Sequence, residues 1–265
     1  MKKIIFPLFT ILFFVSCQQV IDINLNSVSP KLVVEDNIST KPGPYLVKLT
    51  RTTNFFGDTT PAFETGAQVI INDNSGHRDT LHELYPGKYF TTSLTGNINE
   101  TYTLSVNTQG QNYLAVAPMT DTLTIDSISY ALRTSTHNGN SYSVTFSFTD
   151  PPQLGNYYGF RVYQNGLLVK DIADNKLFSD ALFNGGAVHQ RISGSSMNWL
   201  QNDTIKVELV CFNKTAYDFY NTLQKTMQSG SPFSSPPANP VNNLNNGALG
   251  FFGVDAVTSK SIVLL

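Results

Sequence analysis

The sequence predicts a mostly β protein, an amino-terminal β-sandwich followed by a second β-rich domain with one or two short helices. Three observations carry this expectation. Apolar and polar residues alternate along many short runs, the period of a half-buried antiparallel strand. Turn signals rich in Gly, Asn and Pro separate the runs. Charged residues make up only 14% of the 265-residue chain, against about 25% in typical soluble domains. Ser, Thr and Asn fill the difference, and they suit turns and hydrogen-bonding loops better than long charged helices.

The elements follow in chain order. Met1, Lys2 and Lys3 precede an apolar run from Ile4 to Val15, then Ser16-Cys17. Two cations, a short apolar stretch and a small residue before a cleavage point make residues 1–16 a secretory signal peptide. The run falls short of the roughly 20 apolar residues that a spanning helix needs. Phe14-Val15-Ser16-Cys17 resembles the lipobox of bacterial lipoproteins, with Phe14 where Leu is usual, and that resemblance implies an acylated Cys17. Each buried methylene of the acyl chains contributes about 0.8 kcal/mol of anchoring. Residues 17–30 then form a lipidated tether, polar at Asn24, Asn26, Ser27 and Ser29. Asp22 is the one acidic residue near Cys17, so no acidic surface-export cluster follows it and the leaflet stays open.

The formal charge is −2, and losing Lys2 and Lys3 with the leader makes it −4. No basic run is present, which argues against nucleic acid as a partner. With Cys17 acylated, Cys211 has no intramolecular partner, so stability rests on burial, for which 41% hydrophobic content suffices.

Residues 31–120 are expected to form the first sandwich from about seven short strands. Leu32-Val33-Val34 and Val69-Ile70-Ile71 are apolar runs, the second followed by the turn Asn74-Ser75-Gly76. Tyr102, Leu104 and Val106 alternate with Thr and Ser. A boundary falls near Pro118 to Thr124. Residues 121–265 hold the second domain, with alternation at Ile128, Tyr130 and Leu132, at Tyr142, Val144, Phe146 and Phe148, and at Ile205, Val207, Leu209 and Cys211. Asn165-Gly166 joins two apolar runs and is the strongest hairpin signal in the chain. Thr215 is placed as a helix cap, and Ala216, Phe219, Tyr220, Leu223 and Met227 at helical spacing predict a helix over 215–228. A second helix or irregular stretch is placed at Lys176 to Phe183. A Pro- and Asn-rich loop covers 229–250, and Gly250 to Leu265 returns as a strand pair or a single edge strand.

The chain offers little recognisable chemistry. His77 and His82 could converge across a hairpin with Asp79 and Glu83, but zinc needs three or four ligands at fixed geometry, no Cys joins them and their spacing matches no known pattern; they read as solvated strand positions. Asn72 to Gly76 reads as a turn rather than a calcium loop, because Ile71 and His82 stand where an EF-hand needs carboxylates. Gly194-Ser195-Ser196 lacks the closing glycine of a nucleophile elbow. Cys211 lies on the apolar side of its run and reads as an inert core thiol. No metal and no cofactor is expected. Phe55, Phe56, Trp199, Phe233, Phe251 and Phe252 fall in or beside expected loops and are the ligand or partner candidates. The competing reading is that they plug the open ends of sandwiches. The long 229–250 loop is expected to be functional or mobile.

Leu32-Val33-Val34-Glu35, Gly66-Ala67-Gln68-Val69, Gly87-Lys88-Tyr89, Asn156-Tyr157-Tyr158, Ala216-Tyr217-Asp218-Phe219-Tyr220 and Asn246-Gly247-Ala248-Leu249-Gly250-Phe251-Phe252-Gly253 together resemble domain-of-unknown-function family 4249, outer-membrane lipoproteins of Bacteroidota. The first domain is also similar to the transthyretin-like regulatory sandwiches attached to carboxypeptidases. The family resemblance implies neighbourhood with TonB-dependent outer-membrane transporters and no settled activity. The expected function is therefore that of a non-enzymatic outer-membrane lipoprotein, acting as ligand-capture or accessory partner of such a transporter and held to the membrane through its lipid. The alternatives are an envelope hydrolase of glycans or peptides, and a structural or adhesive surface lipoprotein.

Overall fold

A computed structural model describes residues 29–53, 60, 62–135, 139–192, 199–228 and 238–265. Nine strands build the first half: β1 (Leu32–Ser39), β2 (Leu46–Arg51), β3 (Ala62–Phe63), β4 (Gln68–Asp73), β5 (Arg78–Thr80), β6 (His82–Tyr85), β7 (Lys88–Phe90), β8 (Thr101–Thr108) and β9 (Gln111–Pro118). They form a sandwich, as the alternation requires. The sheet edge β1-β2-β7-β6 packs over the four-stranded sheet β5-β4-β8-β9. Val34, Leu49, Val69, Ile71, Tyr89, Leu104 and Val106 are buried between them.

The second half contains β10 (Ser127–Ser135), β11 (Gly139–Thr149), β12 (Tyr157–Gln164), β13 (Leu167–Lys170), β14 (Phe178–Ser179), β15 (Ala187–Ile192), β16 (Thr204–Phe212), the helix α1 (Lys214–Gln228) and β17 (Leu249–Val263). The sheet β10-β11-β15 covers one face of β13-β12-β16-β17. Ring contacts tie the layers, with Phe146 and Phe160 at 5.1 Å and Phe148 and Tyr158 at 5.1 Å, both edge-on. Such pairs are worth about 0.5–1.5 kcal/mol beyond their area burial. Residues 119–126 connect β9 to β10.

The last strand joins the halves. Leu249 to Asp255 of β17 run parallel to Val33 to Ser39 of β1, and Ala256 to Val263 run antiparallel to Thr204 to Cys211 of β16. β17 thus changes partners between Asp255 and Ala256 and lies inside a ten-stranded sheet. The expectation of an edge strand or strand pair here is overturned. Phe251 to Ala256 are all buried, the continuous apolar pattern of a strand covered on both faces. Gly250 makes the parallel contact possible: its φ is +94°, and a Cβ there would stand 1.9 Å from the Val34 carbonyl oxygen.

Local signals read from the sequence have clear counterparts. Asn165 and Gly166 take φ of 51° and 83°, the two positive values of a type I′ turn, and link β12 to β13. α1 begins one residue earlier than expected, and its cap is Asn213, whose Oδ1 accepts from the Ala216 N–H at 3.0 Å, in place of Thr215. Its apolar side covers the outer face of β12, β16 and β17, where Phe219 stacks on Phe251 at 4.4 Å. Met227, expected on that side, is exposed. The stretch from Lys176 to Phe183, expected as a second helix or irregular, holds the two-residue β14 and a 3-10 helix, Asp180–Leu182.

Candidate functional site

A cleft of about 850 Å³ opens at the end of the first sandwich where the chain enters β1. Ser29 and Pro30, the first described residues, form part of its wall, with Lys31, Arg51, Thr52 and Thr53 beside them. The β8–β9 turn contributes Gln109 and Gln111, β9 contributes Tyr113, and the returning carboxy-terminal segment contributes Asn246.

A fixed ionic group lies behind this wall. Arg51 Nε and Nη2 reach the two oxygens of Glu64 at 2.7 and 3.1 Å, a bidentate pair. Thr108 donates its hydroxyl to the same carboxylate, and the Gln109 amide approaches it at 3.2 Å. The hydrogen bond from Arg51 outweighs burial and holds the Glu64 carboxyl below the usual range. The pair cancels its own charge and leaves Lys31 as the one cation of the lining without an ion pair among the described residues. Tyr113 donates to the Gln111 carbonyl at 2.5 Å, orienting that amide. The cleft therefore presents amides, hydroxyls and one ammonium on a rigid frame, which suits binding through hydrogen bonds.

The sequence-predicted candidates are placed elsewhere. Cys17, Phe55, Phe56 and Phe233 lie outside the described residues. Trp199 is 4% exposed and belongs to the main core. Phe252 is fully buried between the sheets, and Phe251 lies under α1 against Phe219. Trp199, Phe251 and Phe252 are therefore core residues and not a recognition surface; Phe251 and Phe252 belong to a strand covered on both faces, where an edge strand beside a loop was expected.

The carboxy-terminal segment is pinned across its described part, 238–250, where a functional or mobile loop was expected. Asn243 bonds both the N–H and the C=O of Phe252, at 3.0 and 2.9 Å. Asn245 accepts from the Leu114 N–H at 2.7 Å, and Asn246 donates to the Asn112 carbonyl at 2.7 Å. The asparagines replace a missing strand neighbour along β9 and β17, and this satisfies backbone groups that burial would otherwise leave unpaired.

His77 Nδ1 sits 2.8 Å from Asp73 Oδ2, and Asp73 also caps the β4–β5 turn through the N–H groups of Ser75 and His77. Burial pushes the Cys211 thiol up to about 12, so it is an unreactive core group. The cleft residues Gln109, Gln111 and Asn246 escaped the sequence reading. Their one local signal is the Gln109-Gly110 turn, with φ of 48° and 75°, a hairpin with Gln where Asn or Asp is usual.

A second polar group lies where β17 changes partners. Arg161 contacts Asp171 at 2.9 Å and Asp255 at 3.4 Å, and Asn37 donates to Asp255 at 2.6 Å. Burial raises the Asp255 carboxyl, although Arg161 opposes this. Nearby, Glu208 is fully buried and meets Lys41 at 2.5 Å and Lys206 at 2.7 Å. Burial alone would raise its carboxyl; Lys206 and Lys41 bring it below the usual range.

No curated protein matches this chain. The model of the family described as Domain of unknown function (DUF4249) matches residues 18–261. That span covers nearly the whole sequence, both sandwiches and the strand that joins them, and the chain belongs to the DUF4249 family.

Proposed function

We propose that this protein is a non-enzymatic, lipid-anchored binding protein of the outer membrane. In this reading it captures a ligand for, or docks against, a TonB-dependent transporter through the cleft at its tethered end. The observation that carries the reading is the position of that cleft: Ser29 and Pro30, where the tether from Cys17 ends, are part of its wall. A dozen linker residues reach at most about 40 Å when extended, and about 20 Å as a flexible coil. Whatever the cleft holds is thereby kept close to the bilayer and to a membrane-embedded partner. The fixed amides and hydroxyls supply orientation, and Arg51 with Glu64 keeps the wall from collapsing.

The test is a mild-detergent pull-down of the tagged, acylated protein from native membranes, set beside the double variant Gln111→Arg/Asn246→Arg, which fills the cleft mouth. A stoichiometric β-barrel transporter retained by the unaltered protein and lost by the variant supports the reading. A preparation with no transporter, or one equally retained by the variant, sinks it.

A further inference from the structure

A second cleft, of about 670 Å³, lies at the seam between the two halves and shares no lining residue with the first. Its walls come from the connection between β9 and β10 (Thr120, Asp121), the loop before β12 (Gly155, Asn156) and the strand residues Tyr157 and Phe212. Seams between domains are where small-ligand sites concentrate, and this volume is in the usual range for them.

The charge around this cleft has one sign. Among the described residues no Lys, Arg or His lines it, whereas Asp121 stands exposed on its rim. Two further carboxylates stand behind the wall. Asp150 accepts the Tyr158 hydroxyl and the Gly185 N–H. Asp180 accepts the N–H groups of Gly155 and Asn156 at 2.7 and 2.9 Å. Both are buried, and neither has a cationic partner among the described residues. Burial and the hydrogen bond to Asp150 hold the Tyr158 proton in place. Lys214 feels the Tyr157 hydroxyl, but its ammonium is engaged by Asp218 at 2.6 Å. Several carboxylates around a low-dielectric recess focus a negative potential into it. Half-buried Tyr157 adds an aromatic wall whose face attracts an organic cation, while Phe212 behind it is buried against Tyr220.

We propose that the seam cleft binds a small organic cation, an amine or quaternary ammonium group, with Asp121 as counter-ion and Tyr157 as aromatic contact. This site is independent of the tether-end cleft and of the transporter reading.

Isothermal titration of the mature protein in mild detergent at low salt tests it, with putrescine and tetramethylammonium as probes and inorganic phosphate as the anionic control. The expected result is saturable binding of at least one cation, weakened tenfold or more by Asp121→Asn and severalfold by Tyr157→Leu. Gln111→Ala in the other cleft should leave it unchanged. Asp121 is exposed, so its amide variant should keep the native circular dichroism and thermal midpoint. No saturation by either cation up to about 10 mM, equal affinity in Asp121→Asn, or a preference for phosphate would each overturn the proposal. None of these outcomes bears on the pull-down, so the two readings fail separately.

Discussion

Arg161 of β12 places its Nη2 3.4 Å from the Asp255 carboxylate, at the residue where β17 leaves β1 for β16. Both side chains are largely buried, so the pair sits in a low dielectric, where an unpaired charge is far costlier than a paired one. Arg161→Met should leave Asp255 with Asn37 as its remaining partner and destabilise the fold by about 3–5 kcal/mol. The double variant Arg161→Met/Asp255→Leu should recover most of that loss. Urea unfolding of the three proteins measures it; a double variant as unstable as the single one would show that the pair does more than neutralise itself.

Asp36 stands between the core residues Val34 and Ile38 on the same face of β1. Among the described residues no side chain pairs with its carboxyl oxygens, although the backbone N–H of Asn37 favours their ionised form. Burial raises its pKa well above the usual value, and Asp255 adds to the rise. An acid with a raised pKa holds its proton more tightly in the fold than in the unfolded chain. Its contribution is therefore fully present below the unfolded value, near 4, and is lost as pH rises towards the folded value. Asp255, raised as well, slopes the same way. The unaltered protein should lose stability as pH climbs from acid to alkaline, and Asp36→Asn should flatten that slope and be the more stable form at pH 8. Thermal midpoints across pH 5 to 9 decide it, and parallel curves for the two proteins would refute the assignment.

Gly250 is held at φ +94° by the parallel neighbour β1, whose Val34 carbonyl leaves no room for a Cβ. Gly250→Ala should cost at least about 1–3 kcal/mol from the backbone conformation alone, with the clash added. Gly66, also at positive φ but with open space around it, is the control: Gly66→Ala should lose only the conformational part. Equal midpoints for the two variants in denaturant would mean that β17 does not press on β1 as described.

These tests fall on the parts of the molecule that local sequence does not reveal. The alternation from Tyr142 to Phe148, the Asn165-Gly166 turn and the spacing from Ala216 to Leu223 were all legible, because each depends on neighbours within a few residues. The register of Val33 with Leu249 was not: parallel pairing over so long a separation leaves no turn residue to announce it. The same strand misplaced Phe251 and Phe252, since a run buried on both faces loses the period of two. Trp199 follows no alternating run, so an irregular stretch dipping into the core looked like an exposed loop. The cleft at the start of β1 escaped for a related reason. Gln109, Gln111 and Asn246 are ordinary polar residues until the fold brings the two ends of the chain together.

Glu64 is where cleft and fold depend on each other. Its carboxylate is 6% exposed and receives Arg51, Thr108 and Gln109 from three directions. Because Arg51 lowers its pKa, its contribution is present above the unfolded value, near 4.3, and disappears as pH falls through the lower folded value. Glu64→Gln keeps the shape but removes the charge, leaving Arg51 with a weaker acceptor. It should cost about 1.5–3 kcal/mol at pH 7, the range for hydrogen bonds to charged groups. The gap from the unaltered protein should narrow as pH drops towards 3, where the native carboxyl also protonates. If the gap stays constant with pH, the loss comes from packing and the ionised bridge is not what holds the cleft wall. If it narrows and the pull-down partner is lost with it, the buried pair is what keeps the proposed binding cleft open at the start of β1.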